Sequence, residues 1–580
     1  MQHEPMISRS PDGDLSSANR AGRSAPTRRG WRFLCATAAV AVTVGLAATA
    51  CGTNESASEP TTTADRQNKG VIENDETPVT GGKLAYGLYS ETNGWNPGTN
   101  QWSPAGLQVT QAVFDTLTAY DENSEIKPYL AESFSANPDN TLWTFKLRPG
   151  VTLHNGKPVT AEVVVRNQRY LASSPITGPA YTFAGVTSID VVDELTFTIA
   201  LARSYANYPI AMATQLGVVA DPDWLESNDS LKPIGSGPFS FDTWKIDESV
   251  TVKRYPNYWQ TDGAGTRLPY LDEIEFKVVV DDGERARLLR DGDLDVLQTY
   301  SGEQLQQFQE SSANVQVISD SKSESRDTMV QLNTMAAPFT DLEARQALAY
   351  ATDKQAFSDA AQGGFHELAN GPFAPSSPWF TPADYPQYDP ARAKELVESV
   401  KAKNGGEFAF TLVGSDDAET RLGTQILQEQ WAAVGITATV ELNEASKNII
   451  GVVSGQYQAT MWGQFDAPNP YADGIWWDPD GAVPPPALTL NFARNKDPEI
   501  GAALDTGAAT TDLTVQREQM GIVQQRLAAD VPYVWLVHLR ISRVANDRVV
   551  NLTRWFLPDG SPGLDMRQGS HPLSQVWMKP

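Results

Sequence analysis

The sequence predicts a multi-domain α/β protein in which a β-rich section precedes a long run of strand–helix–strand units. Three observations predict it. At 580 residues the chain exceeds one ordinary domain. Residues 120–228 alternate apolar and polar positions; in TLWTFKLRPG, Trp143, Phe145 and Leu147 share one face. Residues 328–537 read as strand, helix and strand with short connections, which is a right-handed parallel crossover.

Taken in order, the elements begin at GGKLAYGLYS, an alternating strand. An irregular stretch, ETNGWNPGTNQWSPAG, leads into a helical one, LQVTQAVFDTL. Within the β-rich part, SIDVVDELTFTIAL reads as a hairpin turning at Asp193-Glu194. GSGPF at 235–239 lacks the lysine of a phosphate cradle and reads as a tight backbone turn. Further on, FTDLEARQALAYATDKQAF opens with a capping box: Thr340 accepts from the Glu343 amide while Glu343 reaches back. Phe408, Phe410 and Leu412 alternate on a strand. A helix then places Leu422, Ile426, Leu427, Trp431 and Val434 on one side and stops at Gly435. The next strand alternates Ile436, Ala438, Val440 and Leu442.

Composition narrows the partners. An apolar fraction of 41% with 15 Trp, 18 Tyr and 20 Phe describes a folded protein. A formal charge of −26, with no basic run beyond the first 35 residues, argues against a nucleic-acid partner, since phosphate binding needs clustered Lys and Arg.

Residues 1–50 read as a signal peptide: Arg20, Arg23, Arg28, Arg29 and Arg32 precede the apolar run FLCATAAVAVTVGLAATA. AATAC resembles the bacterial lipobox, with Ala48 where leucine is usual, and implies lipidation at Cys51. Cleavage there removes six Arg and three acids, leaves a charge of about −29, and leaves one cysteine, hence no disulfide. Residues 51–78, nearly free of apolar side chains, read as a flexible tether.

Catalytic constellations are missing. His3, His154, His366, His538 and His571 are scattered without ligand spacing, so no metal site is expected. DGDLD at 291–295 fails as a calcium loop because Val296 stands where glycine is required. No nucleophile elbow, phosphate loop or dinucleotide fingerprint occurs. The expectation is a binder with no cofactor and no catalytic residues.

Seven segments in order resemble one family. They are LAESFSANPDNTLWTFKLRPGVTLHNGKPVTAEVVV, GSGPFSFDTW, VKRYPNYW, LPYLDEIEFKVV, LRDGDLDV, APFTDLEARQALAYATDKQAF and YDPARAKELV. The family is the extracellular solute-binding proteins, family 5, the dipeptide, oligopeptide and nickel lipoproteins of ABC transporters. The resemblance implies a type II periplasmic-binding-protein fold of the cluster C type, two hinged α/β lobes plus a β-rich domain. Lobe I would comprise 79–119, 229–327 and 538–580, domain II 120–228 and lobe III 328–537.

The resemblance also implies a site. In MWGQFDAPNPY, Asp466 matches the family acid that holds a peptide's α-ammonium group, with one extra residue after Trp462 and Asn469 in place of a second acid. Backbone at Met461–Gln464, with Trp462, Gly463 and Gln464, would pair with an extended peptide, and Gln101, Trp102 and Ser103 would form the opposite wall. The implied function is a monomeric lipoprotein on the outer face of the cytoplasmic membrane that captures short peptides for a permease and its ATPase. Rival readings on the same fold are an oligosaccharide, glutathione, haem or metal-chelate receptor. A cell-envelope scaffold or regulator is the reading from another class.

Overall fold

Residues 68–72, 76–227, 229, 231–311, 314–319, 326–465 and 467–580 are described in this computed structural model. The expected signal peptide and the lipidation site, Cys51, lie outside them. Among the described residues no helix is long and apolar enough to cross a membrane.

Strand β1 (Lys83–Leu88) buries Leu84, Tyr86 and Leu88. Helix α1 (Pro104–Val113) follows, three residues earlier than expected. Pro104 suits a first turn, the Ser103 hydroxyl accepts from the Gly106 amide, and Phe114 is already extended. Next, β2 (Ala131–Ala136), β3 (Leu142–Leu147), β4 (Val186–Val191) and β5 (Thr196–Leu201) form an antiparallel sheet in the order β2-β3-β5-β4. Trp143, Phe145 and Leu147 are buried on it as the alternation requires, against α2 (Ala161–Ser173). This sheet is the core of domain II.

The chain continues through β6 (Phe239–Lys245), β7 (Ser249–Arg254), β8 (Glu273–Val278), β9 (Val296–Thr299) and β10 (Val315–Ser319). Just before β6, the GSGPF turn presses on the end of α1. A Cβ on Gly235 would lie 2.1 Å from the Val113 carbonyl oxygen, and one on Gly237 2.6 Å from its carbonyl carbon. Only glycine allows that approach.

The second large sheet, that of lobe III, consists of β11 (Arg326–Leu332), β12 (Glu367–Leu368), β13 (Ala409–Ser415), β14 (Thr437–Asn443), β15 (Ala459–Phe465) and β16 (Tyr533–Leu539), in the order β12-β16-β11-β15-β13-β14, so its strands run two residues past the expected 328–537 at each end, taking in Arg326, Asp327, His538 and Leu539. Helix α3 (Leu342–Ala351) corrects the expected capping box. Asp341, not Thr340, is the cap, its carboxylate accepting from the Glu343 amide at 3.0 Å. Glu343 turns away to Lys403 at 2.8 Å and Ser399 at 2.5 Å. The parallel crossover is present: β13 pairs with β14 from Ala409↔Thr437 to Ser415↔Asn443, joined by α4 (Ala418–Ala432). On α4, Leu427 and Trp431 are buried while Leu422 is exposed, so the buried face is narrower than the apolar spacing implied.

Strand β17 (Ser542–Asn546) completes the lobe I sheet, ordered β10-β17-β9-β1-β8-β7-β6. Two neighbouring connections therefore join the lobes, β10 to β11 and β16 to β17. Ser319 pairs with Ser542 on one side of the crossing, Oγ to Oγ 3.0 Å, and Arg326 with Leu539 on the other. Two adjacent crossings between separate cores are the geometry of a hinge. Domain II also touches lobe III. The Tyr205 hydroxyl donates to the Tyr471 carbonyl (2.9 Å), the Ala206 amide to Ala508 (2.7 Å) and the Asn207 amide group to Thr510 (3.1 Å).

The polar segment expected to stay a tether through residue 78 is attached sooner. Lys69 bridges to Val317 on the edge of β10, and its ammonium group donates to the carbonyls of Phe308 (2.9 Å) and Ser311 (2.6 Å). A lysine that satisfies carbonyls near a helix end explains why so polar a segment docks.

Candidate functional site

Parallel strands place the site. In open α/β sheets a ligand crevice lies outside the carboxyl ends of parallel strands, where neighbours lead apart. In lobe I, β1 runs parallel to β8 and β9 and is followed by Tyr89; β9 is followed by Tyr300. The two rings meet edge-on at 5.1 Å. In lobe III, β13 and β15 run parallel, and α4 starts three residues after β13. The lobes turn these ends toward one another, because Arg326 and Glu419 of lobe III act electrostatically on both tyrosine hydroxyls of lobe I.

Arg326 and Glu419 form the charged centre of that crevice. Arg326 Nη1 lies 3.2 Å from Glu419 Oε2, with the side chains 26% and 22% exposed. Arg326 opens β11 and crosses β15 at Gly463, where a Cβ would lie 2.1 Å from its Nε. Burial by itself would lower the guanidinium, but Glu419, Tyr300 and Tyr89 outweigh it and hold it above its ordinary value. Burial pushes the Tyr89 hydroxyl well up and Tyr300 up to about 12, so both stay neutral. Glu419 Oε1 is buried and has no hydrogen-bond partner among the described residues. A cation, a carboxylate with a spare acceptor and two neutral hydroxyls suit a solute carrying both signs of charge.

Beside this pair, one edge of β15 is open. It pairs with β11 along its length, from Ala459↔Leu332 to Phe465↔Arg326, but with β13 only at Ala459 and Thr460. Beyond Thr460 that edge has no strand partner among the described residues. Of the residues expected there, Trp462 is half-buried with its ring 5.3 Å from Phe492, Gly463 lies under Arg326, and Gln464 is buried. Asp466 follows β15 directly in sequence and lies outside the described residues.

The opposite wall divides. Gln101 is exposed. Trp102 is 5% exposed and stacks on Phe114 with centroids 6.0 Å apart. Ser103 gives its acceptor to the cap of α1, with its Oγ 3.4 Å from Ser90 Oγ beside Tyr89. Trp102 lines a cavity of about 90 Å³ together with Gln111, Asp115 and Arg567. Asp115 accepts from Trp259 Nε1 (2.6 Å) and the Tyr258 hydroxyl (3.1 Å), and burial raises its carboxyl to about 7. In lobe III, Asp473 accepts from the Ala467 amide at 2.6 Å. Burial raises it to about 7, against the Ala467 and Trp476 hydrogen bonds and the charge of Arg567, which pull it back.

Sequence reasoning missed Tyr89, Tyr300, Arg326 and Glu419. The tyrosines carried a usable signal, each standing just past a strand. The others had none, since their partners are remote in sequence.

The family model described as "Bacterial extracellular solute-binding proteins, family 5 Middle" matches residues 125–489. A glutathione-binding protein GsiB, from Pectobacterium atrosepticum, is 27% identical over 464 residues, covering 78% of this chain and 87% of that protein. The periplasmic binding protein DppA from Helicobacter pylori, solved with the peptide STSA, superposes with a TM-score of 0.73 at 20% identity, covering 87% of this chain and 99% of that one. AppA from Bacillus subtilis, solved with a nonapeptide, gives 0.72 at 21% identity, covering 87% and 100%. The chain belongs to the bacterial extracellular solute-binding proteins, family 5, and has their two-lobed type II fold.

Proposed function

We propose that this protein captures short peptides between lobes I and III and delivers them, unchanged, to an ABC permease. The observation that carries the reading is the open edge of β15 beside the Arg326–Glu419 pair. An extended peptide adds there as a strand, so affinity comes from main-chain hydrogen bonds that do not depend on side chains. Asp466 anchors the ammonium end, Glu419 Oε1 offers a further acceptor, and Arg326 with the two tyrosines meets the carboxylate. Trp462, Gly463 and Gln464 supply the strand, and Gln101, Trp102 and Ser103 the facing wall.

Glutathione is the second reading, favoured by the likeness to the glutathione-binding protein GsiB of Pectobacterium atrosepticum. It is itself a small peptide and draws on the same charges. Export and lipidation at Cys51 hold the protein, a monomer, at the outer face of the cytoplasmic membrane.

Native mass spectrometry of residues 52–580, challenged with di- to pentapeptides and with glutathione, tests the reading beside an Asp466→Asn variant. Peptides retained by the parent and lost by the variant support both receptor and anchor. Equal retention moves the ammonium site elsewhere. Retention of glutathione alone selects the second reading, and a spectrum unchanged by every peptide refutes peptide capture.

A further inference from the structure

We infer that His366 of lobe III is a positioning residue for solute capture, fixing Tyr300 of lobe I toward the solute's carboxylate. This deepens, and rests on, the reading above in which Arg326 and the two tyrosines meet that group. Tyr300 stands between β9, which ends at Thr299, and the helix Gly302–Glu310, capped by Ser301. It lies past the last ladder pair of β9 with β17, Thr299↔Ser542, and belongs to no strand or helix. The peptide unit between Tyr300 and Ser301 is instead clamped from both sides. His366 Nε2 donates to its carbonyl at 2.8 Å, and its N–H donates to Thr299 Oγ1 at 3.0 Å. A peptide unit is planar, so holding both of its polar atoms fixes the backbone torsion from which the Tyr300 side chain departs.

His366 reaches Tyr300 from the other lobe. It follows the helix Lys354–Gln362 and directly precedes β12 of the lobe III sheet. Phe365, before it, packs on the lobe I cluster that holds Leu297, Leu305 and Phe308. A Cβ on Gly302 would lie 2.2 Å from Phe365 Cβ, so glycine is what admits lobe III this closely. His366 is 5% exposed, and its Nδ1 faces the Arg540 amide at 3.5 Å, in the crossing between β16 and β17. The Tyr300 carbonyl only accepts, so Nε2 carries the proton and Nδ1 is the acceptor for Arg540.

Place and partners give the bond its use. It lies beside the crossings, where hinge motion displaces least, so Tyr300 is held before the lobes close on a solute. A side chain fixed in advance loses less freedom on binding. The ring so fixed meets Tyr89 edge-on at 5.1 Å, and its hydroxyl lies within the field of Arg326 and Glu419.

Isothermal titration of residues 52–580 with dialanine and with its C-terminal amide tests the assignment. The parent should bind the free acid about tenfold more tightly than the amide. His366→Leu should lower that acid-to-amide ratio about threefold or more, and His366→Gln, which keeps an N–H donor, should restore it in part. Thr299→Val removes the other half of the clamp from within lobe I and should lower the ratio likewise; it decides the matter if His366→Leu does not fold. An acid-to-amide ratio unchanged in the substituted proteins, or affinity lost equally for acid and amide, overturns the positioning role and leaves carboxylate recognition standing. A parent that binds both ligands equally overturns that recognition, and the role of His366 with it.

Discussion

Arg326 Nη1 stands 3.2 Å from Glu419 Oε2, tying the first residue of β11 to the first turn of α4 beside the open edge of β15. Both side chains are largely buried, so neither charge is screened as a surface ion pair would be. Glu419→Gln keeps the shape and removes the charge. The expected outcome is a loss of about tenfold or more in affinity for a zwitterionic dipeptide by calorimetry, with about 1–3 kcal/mol lower stability in urea. Unchanged affinity would remove Glu419 from the ligand site.

Gly463 matters to the same pair for a steric reason. Since a Cβ there would lie 2.1 Å from Arg326 Nε, Gly463→Ala must push the guanidinium off β15. Peptide affinity should fall about as far as in Glu419→Gln, and the two substitutions combined should lose little more than either alone, because they act on one element.

Asp473 and Asp115 give the protein an acid-side stability profile. Burial raises both folded carboxyls to about 7, above the unfolded value of about 3.9. Between those values the folded state holds more protons than the unfolded, so stability falls as pH rises from about 4 to 7 and then levels. Each contributes at most about 4 kcal/mol to that decline. Asp473→Asn should flatten it by about half, as measured by urea midpoints across pH 4–8.

Domain II grips lobe III through Tyr205, Ala206 and Asn207. The segment ties domain II to lobe III, so its bonds favour the arrangement in which the two are in contact. Tyr205→Phe deletes the hydroxyl bonded to the Tyr471 carbonyl, at about 1 kcal/mol. Solute release should quicken about fivefold in stopped flow, with the association rate little changed.

Mass spectrometry of the parent protein from the cells that make it should find acyl chains on an N-terminal Cys51, and Cys51→Ser should abolish them with solute affinity intact. A parent protein without acyl chains would argue against the acyl anchor.

The alternation of Trp143, Phe145 and Leu147, and the strand–helix–strand spacing of residues 408–442, determined by themselves which faces are buried and that β13 and β14 run parallel. These are periodicities of 2.0 and 3.6, written locally and read locally. The capping box shows where local reading stops: Thr340 and Asp341 are both competent caps, and the choice fell to Asp341, with Glu343 bonded to Lys403 from another helix. Family motifs pointed to the β15 loop. Only the tertiary structure placed Arg326 against Glu419, Tyr89 against Tyr300, and Arg567 beside Trp102. Each of those pairs joins residues far apart in the chain, where no sequence period reaches. Burial and charge complementarity, which arise only once the lobes have folded and met, decided them.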